Sequence, residues 1–327
     1  MLIKDASLLS VLQTQTNSIS ARVLEAPLTD ITYPTLVPVN QGYGEWQPNT
    51  QQIVMGAGVG QAQWISGAAK DVPLVDTTAT VSGIDFAVFS VGYEVNDEEL
   101  GLAANANMPI SDVKARIARR KAEEFIEARV LTGDADKGWT GLINKTGVTI
   151  LPASTKAAGG TNWVTTTGAL NATAAEIAND MVNLILGPVT TVNSIRPIAI
   201  DTVAVPSIIF RALASTFTDV LQGGISYLEF IRRQINGAVP GTSFQIVEIP
   251  ELATAATTVI AGGGRIIGYR RSQDILELPM PFAFRFVSQW RDGPFNVVIP
   301  GWARFGQVTV WEQRGFRYMD GVSPVPA

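Results

Sequence analysis

The chain has 327 residues, of which 46% are apolar and only 16% are charged, and its net charge is −5. Histidine and cysteine are both absent, which excludes zinc sites built from thiolate and imidazole and nucleophiles activated by histidine. The acidic balance argues against a dedicated nucleic-acid-binding protein, and a charged fraction well below the usual ~25% indicates that much of the surface is covered, most simply by copies of the same chain.

The N-terminal residues lack the basic and then apolar layout of a signal peptide. The most apolar long segment, residues 195–214, is interrupted by Arg196, Asp201 and Arg211, so it does not have the composition of a membrane span. The sequence therefore predicts a soluble, intracellular protein with no membrane contact.

Residues 1–40 are weakly patterned and contain prolines at positions 27, 34 and 38, which favours an extended arm over a domain. Residues 46–69 carry no charge, but they contain five glutamines and four glycines. An uncharged, glutamine-rich hairpin would be prone to aggregation if it were left exposed. We therefore expect a long two-stranded loop that lies across a neighbouring subunit.

The next segment alternates apolar and polar residues over 79–94, as a strand does, and the acidic run Asp97-Glu98-Glu99 begins a short helix. Ser111 and Asp112 offer the start of a long helix that runs to about residue 131 and is stopped by Gly133. Its apolar positions are predicted to form one stripe: Val113, Ile117, Ala118, Ala122, Phe125, Ile126 and Val130.

The other faces of this long helix are charged. Arg119 and Glu123, and likewise Arg120 and Glu124, are spaced i,i+4. We expect these four residues to form salt bridges within the helix or between subunits.

Residues 165–270 read as a mixed α/β unit. A capping box, Thr173 with Glu176, opens a helix, and Pro206 follows a strand over 197–205 and begins another helix. A further helix over 226–234 and strands over 244–249 and 265–269 complete this unit.

From residue 282 onward the pattern is that of long antiparallel strands, over 282–286, 295–299 and 305–311. The motifs Asp292-Gly293-Pro294 and Pro300-Gly301 predict turns between them.

The order of these parts resembles the Hong Kong 97-type major capsid protein of tailed phages. Residues 120–133, followed by Gly138-Trp-Thr-Gly-Leu-Ile-Asn144, are similar to the spine helix of that family and its Gly-Leu-Ile-Asn signature. Residues 200–213, 227–231 and 246–252 are similar to its axial domain. The likeness extends from about residue 40 to the end of the chain.

The resemblance implies an α+β fold of the Hong Kong 97 type. Residues 1–40 would be the N-terminal arm and 41–78 the extended loop. Residues 79–164 and 271–327 would form the peripheral domain, with the spine helix at about 111–132, and residues 165–270 the axial domain. The residues expected at inter-subunit contacts of the loop are Trp46, Ile53, Met55 and Trp64.

The implied function is that of a structural subunit, without catalytic residues, cofactor or metal, that assembles into the pentamers and hexamers of an icosahedral head around double-stranded DNA. The expected partners are other copies of the chain, a separate scaffolding protein, a portal protein, a possible decoration protein, and DNA contacted weakly and without sequence specificity. Assembly would take place in the host bacterial cytoplasm and yield the virion capsid. Members of this family that cross-link covalently use a lysine of the loop and an asparagine of a partner subunit. Lys70 is the only lysine near the loop here, and no covalent cross-linking is expected.

Three alternatives stay open at this point. An encapsulin shares the fold and encloses a protein cargo. A carboxylate- or metal-dependent enzyme would need a convergent Asp/Glu cluster, and no spacing in the sequence indicates one. For example, Asp134 and Asp136 are not followed by the bidentate Glu of an EF-hand, because Lys145 occupies that position. A phage tail or decoration protein is the third.

Overall fold

A computed structural model describes residues 30–55, 64, 74, 76–77, 79–105, 110–187, 198–218, 224–238 and 244–325. The chain forms two compact units, each made of several segments. The small unit includes Phe89–Glu124 and Phe284–Ala303, and the large unit consists of Thr32–Val88, Phe125–Ala283 and Arg304–Ala327.

The described helices are α1 (Tyr33–Leu36), α2 (Asp97–Asn105), α3 (Ile110–Thr132), α4 (Ala174–Leu186), α5 (Ser207–Ser215) and α6 (Tyr227–Ala238). The described strands are β1 (Val39–Asn40), β2 (Asn49–Met55), β3 (Ala79–Asn96), β4 (Gly133–Asp134), β5 (Trp139–Thr140), β6 (Thr149–Pro152), β7 (Thr202–Val205), β8 (Gln245–Glu248), β9 (Gly264–Tyr269), β10 (Leu276–Pro279), β11 (Phe282–Phe286), β12 (Trp290–Asp292), β13 (Asn296–Gly306), β14 (Thr309–Val310) and β15 (Phe316–Ser323).

The core of the large unit is a five-stranded mixed sheet in the order β6-β15-β9-β7-β8. Every residue of β7, β9 and β15 is buried, which is expected of strands that are covered on both faces. One face of α4 packs into this core through Ile177, Met181 and Leu184, each 0% exposed. The predicted capping box at the start of α4 is confirmed, since Thr173 N donates to Glu176 Oε2 at 2.8 Å and Glu176 N donates to Thr173 Oγ1 at 3.4 Å.

The sheet extends beyond the segment that the sequence assigned to the axial domain. Strands β6 and β15 belong to it, although residues 149–152 and 316–323 were placed in the peripheral domain. The sequence did not indicate β15 as a strand, because it is buried at every position and shows no alternation. The domain boundaries drawn from the sequence stay a prediction.

Three further sheets are formed by the described residues. The strand order β11-β13-β3-β2 forms a second sheet, with β12 beside β13. The sheet β1-β10-β14 joins the start of the described chain to its later part, and β4 pairs with β5. Within residues 33–40, which the sequence assigned to the arm, Tyr33, Leu36 and Val37 are buried.

One prediction about the small unit is wrong. A turn was expected at Pro300-Gly301, but β13 runs through both residues. Val287 N donates to the carbonyl oxygen of Pro300 at 2.8 Å, and a Cβ at Gly301 would lie 2.4 Å from Phe284 Cζ. Gly301 is therefore required by close packing within the sheet, and not by a turn. The turn predicted at Asp292-Gly293-Pro294 is confirmed between β12 and β13.

The long helix is confirmed as α3, but its predicted stripe is wrong at two positions. The buried residues repeat every four positions: Ala118, Ala122, Ile126 and Val130. Ile117 and Phe125 are 52% and 37% exposed. At 3.6 residues per turn each lies about 100° from its buried neighbour, so they fall at the edge of the stripe.

Candidate inter-subunit contact surface

β2 and the first half of β3 form an antiparallel ribbon, defined here as residues 49–55 and 79–85. Ile53 lies directly opposite Val81, and the two side chains are 66% and 60% exposed. Directly opposed residues share a face of the ribbon, so they form one exposed apolar pair. Apart from Asp85 at its base, the ribbon carries no charged residue. Residues 49–55 belong to the segment predicted to form a two-stranded loop, but their partner strand is 79–85, which lies outside that segment.

An exposed apolar pair on an uncharged edge ribbon is the kind of surface that soluble monomers avoid, because it promotes association. In the described part of the sheet order, β2 is the last strand. This ribbon is therefore the strongest candidate for a contact with another copy of the chain, a contact that stays a prediction.

The two tryptophans predicted at the loop contacts are both exposed. Trp46 is 69% exposed in the segment before β2 and has contacts of its own. Trp64 is fully exposed, but its neighbours in the chain lie outside the described residues. Met55 ends β2 opposite Ala79, and its side chain lies outside the description. Lys70 lies outside the described residues too.

The charged face of α3 forms one of its two predicted pairs. Arg120 Nε lies 3.0 Å from Glu124 Oε1, and Lys121 Nζ lies 2.7 Å from Glu124 Oε2. The hydrogen bond from Lys121, followed by that from Arg120, holds the pKa of Glu124 below its ordinary value. Arg119 is exposed and forms no ion pair with Glu123 in the part of the chain that the structure describes, while Glu123 has contacts of its own. A role of these residues between subunits stays a prediction.

The Gly-Leu-Ile-Asn motif forms the C-terminal cap of α3. The last carbonyl groups of a helix have no partner within it. Here Leu142 N donates to Val130 O at 2.8 Å, and Ile143 N donates to Leu131 O at 3.1 Å. Asn144 Nδ2 donates to the carbonyl oxygen of the last helical residue at 2.9 Å. The motif therefore fixes how the long helix ends, and Gly141 permits the close approach, since a Cβ there would lie 2.2 Å from Leu131 O.

Sequence reasoning missed the buried charges of the large unit. Arg265 and Asp320 form a bidentate pair, with Nε–Oδ1 2.6 Å and Nη2–Oδ2 2.8 Å. Thr258 donates to Asp320 Oδ2 from its backbone N and its hydroxyl. Burial alone would raise the pKa of Asp320, but the hydrogen bonds from Arg265 and Thr258 outweigh it and lower that pKa.

A second buried pair links Lys156 to Asp180, with side chains 0% and 2% exposed. Trp163 Nε1 donates to Asp180 Oδ2 at 2.8 Å. A third charge, Arg317, is buried in β15, and burial lowers its pKa to about 10. Charged residues within apolar segments of the sequence could have indicated these sites, because a charge in a folded core must be paired.

Among the residues that the structure describes, no group of three or more carboxylates is placed to hold a metal ion. No described helix is both long and apolar enough to cross a membrane.

Comparison with known proteins agrees with this architecture. The major capsid protein family matches residues 60–322. No curated protein matches the chain. The capsid of Myoviridae phage XM1 is similar in structure, with a TM-score of 0.72 and 14% identity over 94% of this chain and 98% of that chain. A chain from Mycobacterium phage Cain gives a TM-score of 0.58 at 14% identity over 100% of both chains, and the capsid of an empty GTA particle gives 0.55 at 12% over 95% and 96%.

At such low identity the solved structures show the fold, and they confirm the predicted α+β fold of the Hong Kong 97 type. The family match covers most of the chain and supplies the function. It does not favour an encapsulin, an enzyme, or a tail or decoration protein. The chain belongs to the major capsid protein family and is a structural subunit of a phage head, located in the virion capsid, and not an enzyme.

Proposed function

We propose that this chain assembles into pentamers and hexamers that close into an icosahedral head around double-stranded DNA. The observation that carries the proposal is the exposed Ile53–Val81 pair on the uncharged ribbon. Burying this pair on a second copy removes apolar surface from water, and the same contact repeats at every equivalent position of a closed shell. Many modest contacts of this kind add up to a stable assembly.

The remaining partners belong to the same proposal. A separate scaffolding protein guides assembly in the host cytoplasm, a portal protein occupies one vertex, and a decoration protein is a possible addition. The net charge of −5 supports weak contact with the packaged DNA that does not depend on its sequence.

The test uses purified chain at rising concentration, examined by sedimentation velocity and negative-stain electron microscopy. Wild type is expected to form rings of five or six subunits or closed shells. Ile53→Asp places a charge on the ribbon and is expected to leave the chain folded but unassembled. Ile53→Leu keeps the apolar surface and serves as the matched control, expected to assemble like wild type.

Two outcomes would contradict the proposal. One is a wild-type chain that stays monomeric or dimeric at all concentrations, even with phage lysate added. The other is assembly of Ile53→Asp at the same concentrations as Ile53→Leu, which would remove the ribbon from the contact.

A further inference from the structure

Glu277, on β10, is a buried carboxylate at the base of the ribbon. It is 3% exposed. Its Oε2 accepts a hydrogen bond from Asn40 Nδ2 at 2.7 Å, and its Oε1 accepts from Trp311 Nε1 at 3.0 Å and from the Tyr43 hydroxyl. Within the described part of the chain no Lys or Arg forms an ion pair with it.

A buried carboxylate without a cation is stable only while its hydrogen-bond donors stay in place. Glu277 therefore constrains each residue that donates to it. Of its three donors, Asn40 is the last residue of β1, and Tyr43 lies in the short segment that leads from β1 into β2. Residues 41–48 form no helix or strand, so contacts of their side chains help to position them.

The same segment is joined to the other strand of the ribbon. The Tyr43 ring packs against Phe86 on β3, with ring centroids 5.5 Å apart. Arg304 Nη1 donates to the carbonyl oxygen of Glu45 at 3.0 Å. Fixing Tyr43 thus fixes the point at which both strands of the ribbon leave the core.

We propose that Glu277 is a positioning residue that sets the direction in which the ribbon leaves its subunit, and so aligns the Ile53–Val81 pair for a second copy. The inference rests on the proposed function, because it assigns the ribbon to a contact between copies. It adds a residue that is buried within its own subunit and acts through Asn40 and Tyr43.

The hydrogen-bond directions supply a specific test. Asn40 Oδ1 already accepts from Gly42 N at 2.9 Å, so the Asn40 amide faces Glu277 with its NH₂ group. In Glu277→Gln the amide oxygen is expected to stay with the two donors Trp311 and Tyr43, so the new NH₂ meets the NH₂ of Asn40. Turning the Asn40 amide over would cost its bond from Gly42 N. Adding Asn40→Asp restores an acceptor for both donors, because both carboxylate oxygens accept.

The first readout is hydrogen exchange of residues 49–55 and 79–85 in the unassembled chain. Glu277→Gln is expected to raise the exchange rate of these residues by at least about tenfold. The reason is that a charge-assisted hydrogen bond is lost and the NH₂ groups of the new amide and of Asn40 face each other. The double variant Glu277→Gln/Asn40→Asp is expected to return close to wild type. Its assembly, followed by sedimentation velocity, is expected to recover as well, whereas the single variant requires a higher concentration to assemble.

Tyr43→Phe is the second variant, in case Glu277→Gln does not fold. It removes one donor to the carboxylate and keeps the ring. Tyr269→Phe is its matched control, because the Tyr269 hydroxyl donates to Leu36 O at 3.0 Å, in the same N-terminal segment but away from Glu277. Exchange in the ribbon should rise in Tyr43→Phe and stay at the wild-type level in Tyr269→Phe.

Three results would each overturn the inference. The first is an unchanged exchange rate of the ribbon in Glu277→Gln, and the second is a double variant whose ribbon exchanges as fast as that of the single variant. The third is an equal effect of Tyr43→Phe and Tyr269→Phe on ribbon exchange. A loosened ribbon with unaltered assembly would overturn the positioning role. Failure of the proposed function is distinguishable, because in that case the wild-type chain itself does not assemble.

Discussion

Arg317 offers the sharpest test of how the large unit is held together. Its guanidinium is buried in β15 and donates to four carbonyl oxygens: Leu184 at 2.8 Å, Ile185 at 3.0 Å, Ile198 at 2.7 Å and Arg314 at 2.7 Å. The first two belong to the last turn of α4, where carbonyl groups lack partners within the helix and the helix dipole favours a positive charge.

The change Arg317→Met keeps a similar stem but removes all of these donors. A buried acceptor that loses its partner costs about 1–3 kcal/mol. The Ile185 oxygen retains a long bond from Ile200 N at 3.4 Å, and the bonds to Ile198 and Arg314 are only partly buried. The loss therefore corresponds to about two fully buried acceptors, so we expect the free energy of unfolding to fall by about 2–6 kcal/mol.

Denaturant unfolding of the dilute, unassembled chain, followed by tryptophan fluorescence, measures this difference. Arg317→Lys is the control, since it keeps the charge but cannot reach four acceptors at once, and it is expected to lose about half as much. A loss below about 1 kcal/mol in Arg317→Met would refute the reasoning, because the carbonyl groups would then have found other donors.

Three further changes test separate parts of the fold. Asn144→Ala removes the side chain that caps Thr132 O and is expected to lower the unfolding free energy by about 1 kcal/mol in the same assay, an effect that would be absent if water replaced the cap. Gly301→Ala forces a methyl group against the Phe284 ring and is expected to cost about 1–3 kcal/mol, seen as a lower melting temperature; a wild-type melting temperature would contradict the close packing. The folded-state pKa of Asp320 is lowered, so its contribution to stability is complete above its ordinary pKa of about 4 and is lost as pH falls through the folded-state pKa. In acid unfolding, the free energy of unfolding of Asp320→Asn should therefore fall less steeply with decreasing pH than that of the wild type. An equally steep fall in both proteins would contradict this assignment.

Local signals in the sequence determined several elements of this protein correctly. The capping box at Thr173 and Glu176, the proline before α5, and the glycine after α3 each act through contacts within a few residues, so their effect does not depend on the rest of the fold. The alternation over 79–94 indicated the strand β3, because alternation is also a local property. Its pairing with residues 49–55 was not indicated, since the two-stranded loop was expected within residues 46–69.

Tertiary structure decided the features that depend on distant partners. Pro300-Gly301 reads locally as a turn, yet it lies within a strand because Gly301 must pass close to Phe284. β15 has no alternation to detect, since both of its faces are covered. Ile117 and Phe125 belong to the apolar pattern of α3, and only the packing decided that they stay exposed.

The charged residues of the interior show the same limit most clearly. Asp320 is separated from Arg265 by 55 positions, and Glu277 from Asn40 by 237. Sequence alone gives the type and number of such residues, but it does not state which of them meet. Burial makes an unpaired charge costly, so the partners had to be brought together by the fold, and only the folded chain shows that Glu277 lies at the base of the ribbon.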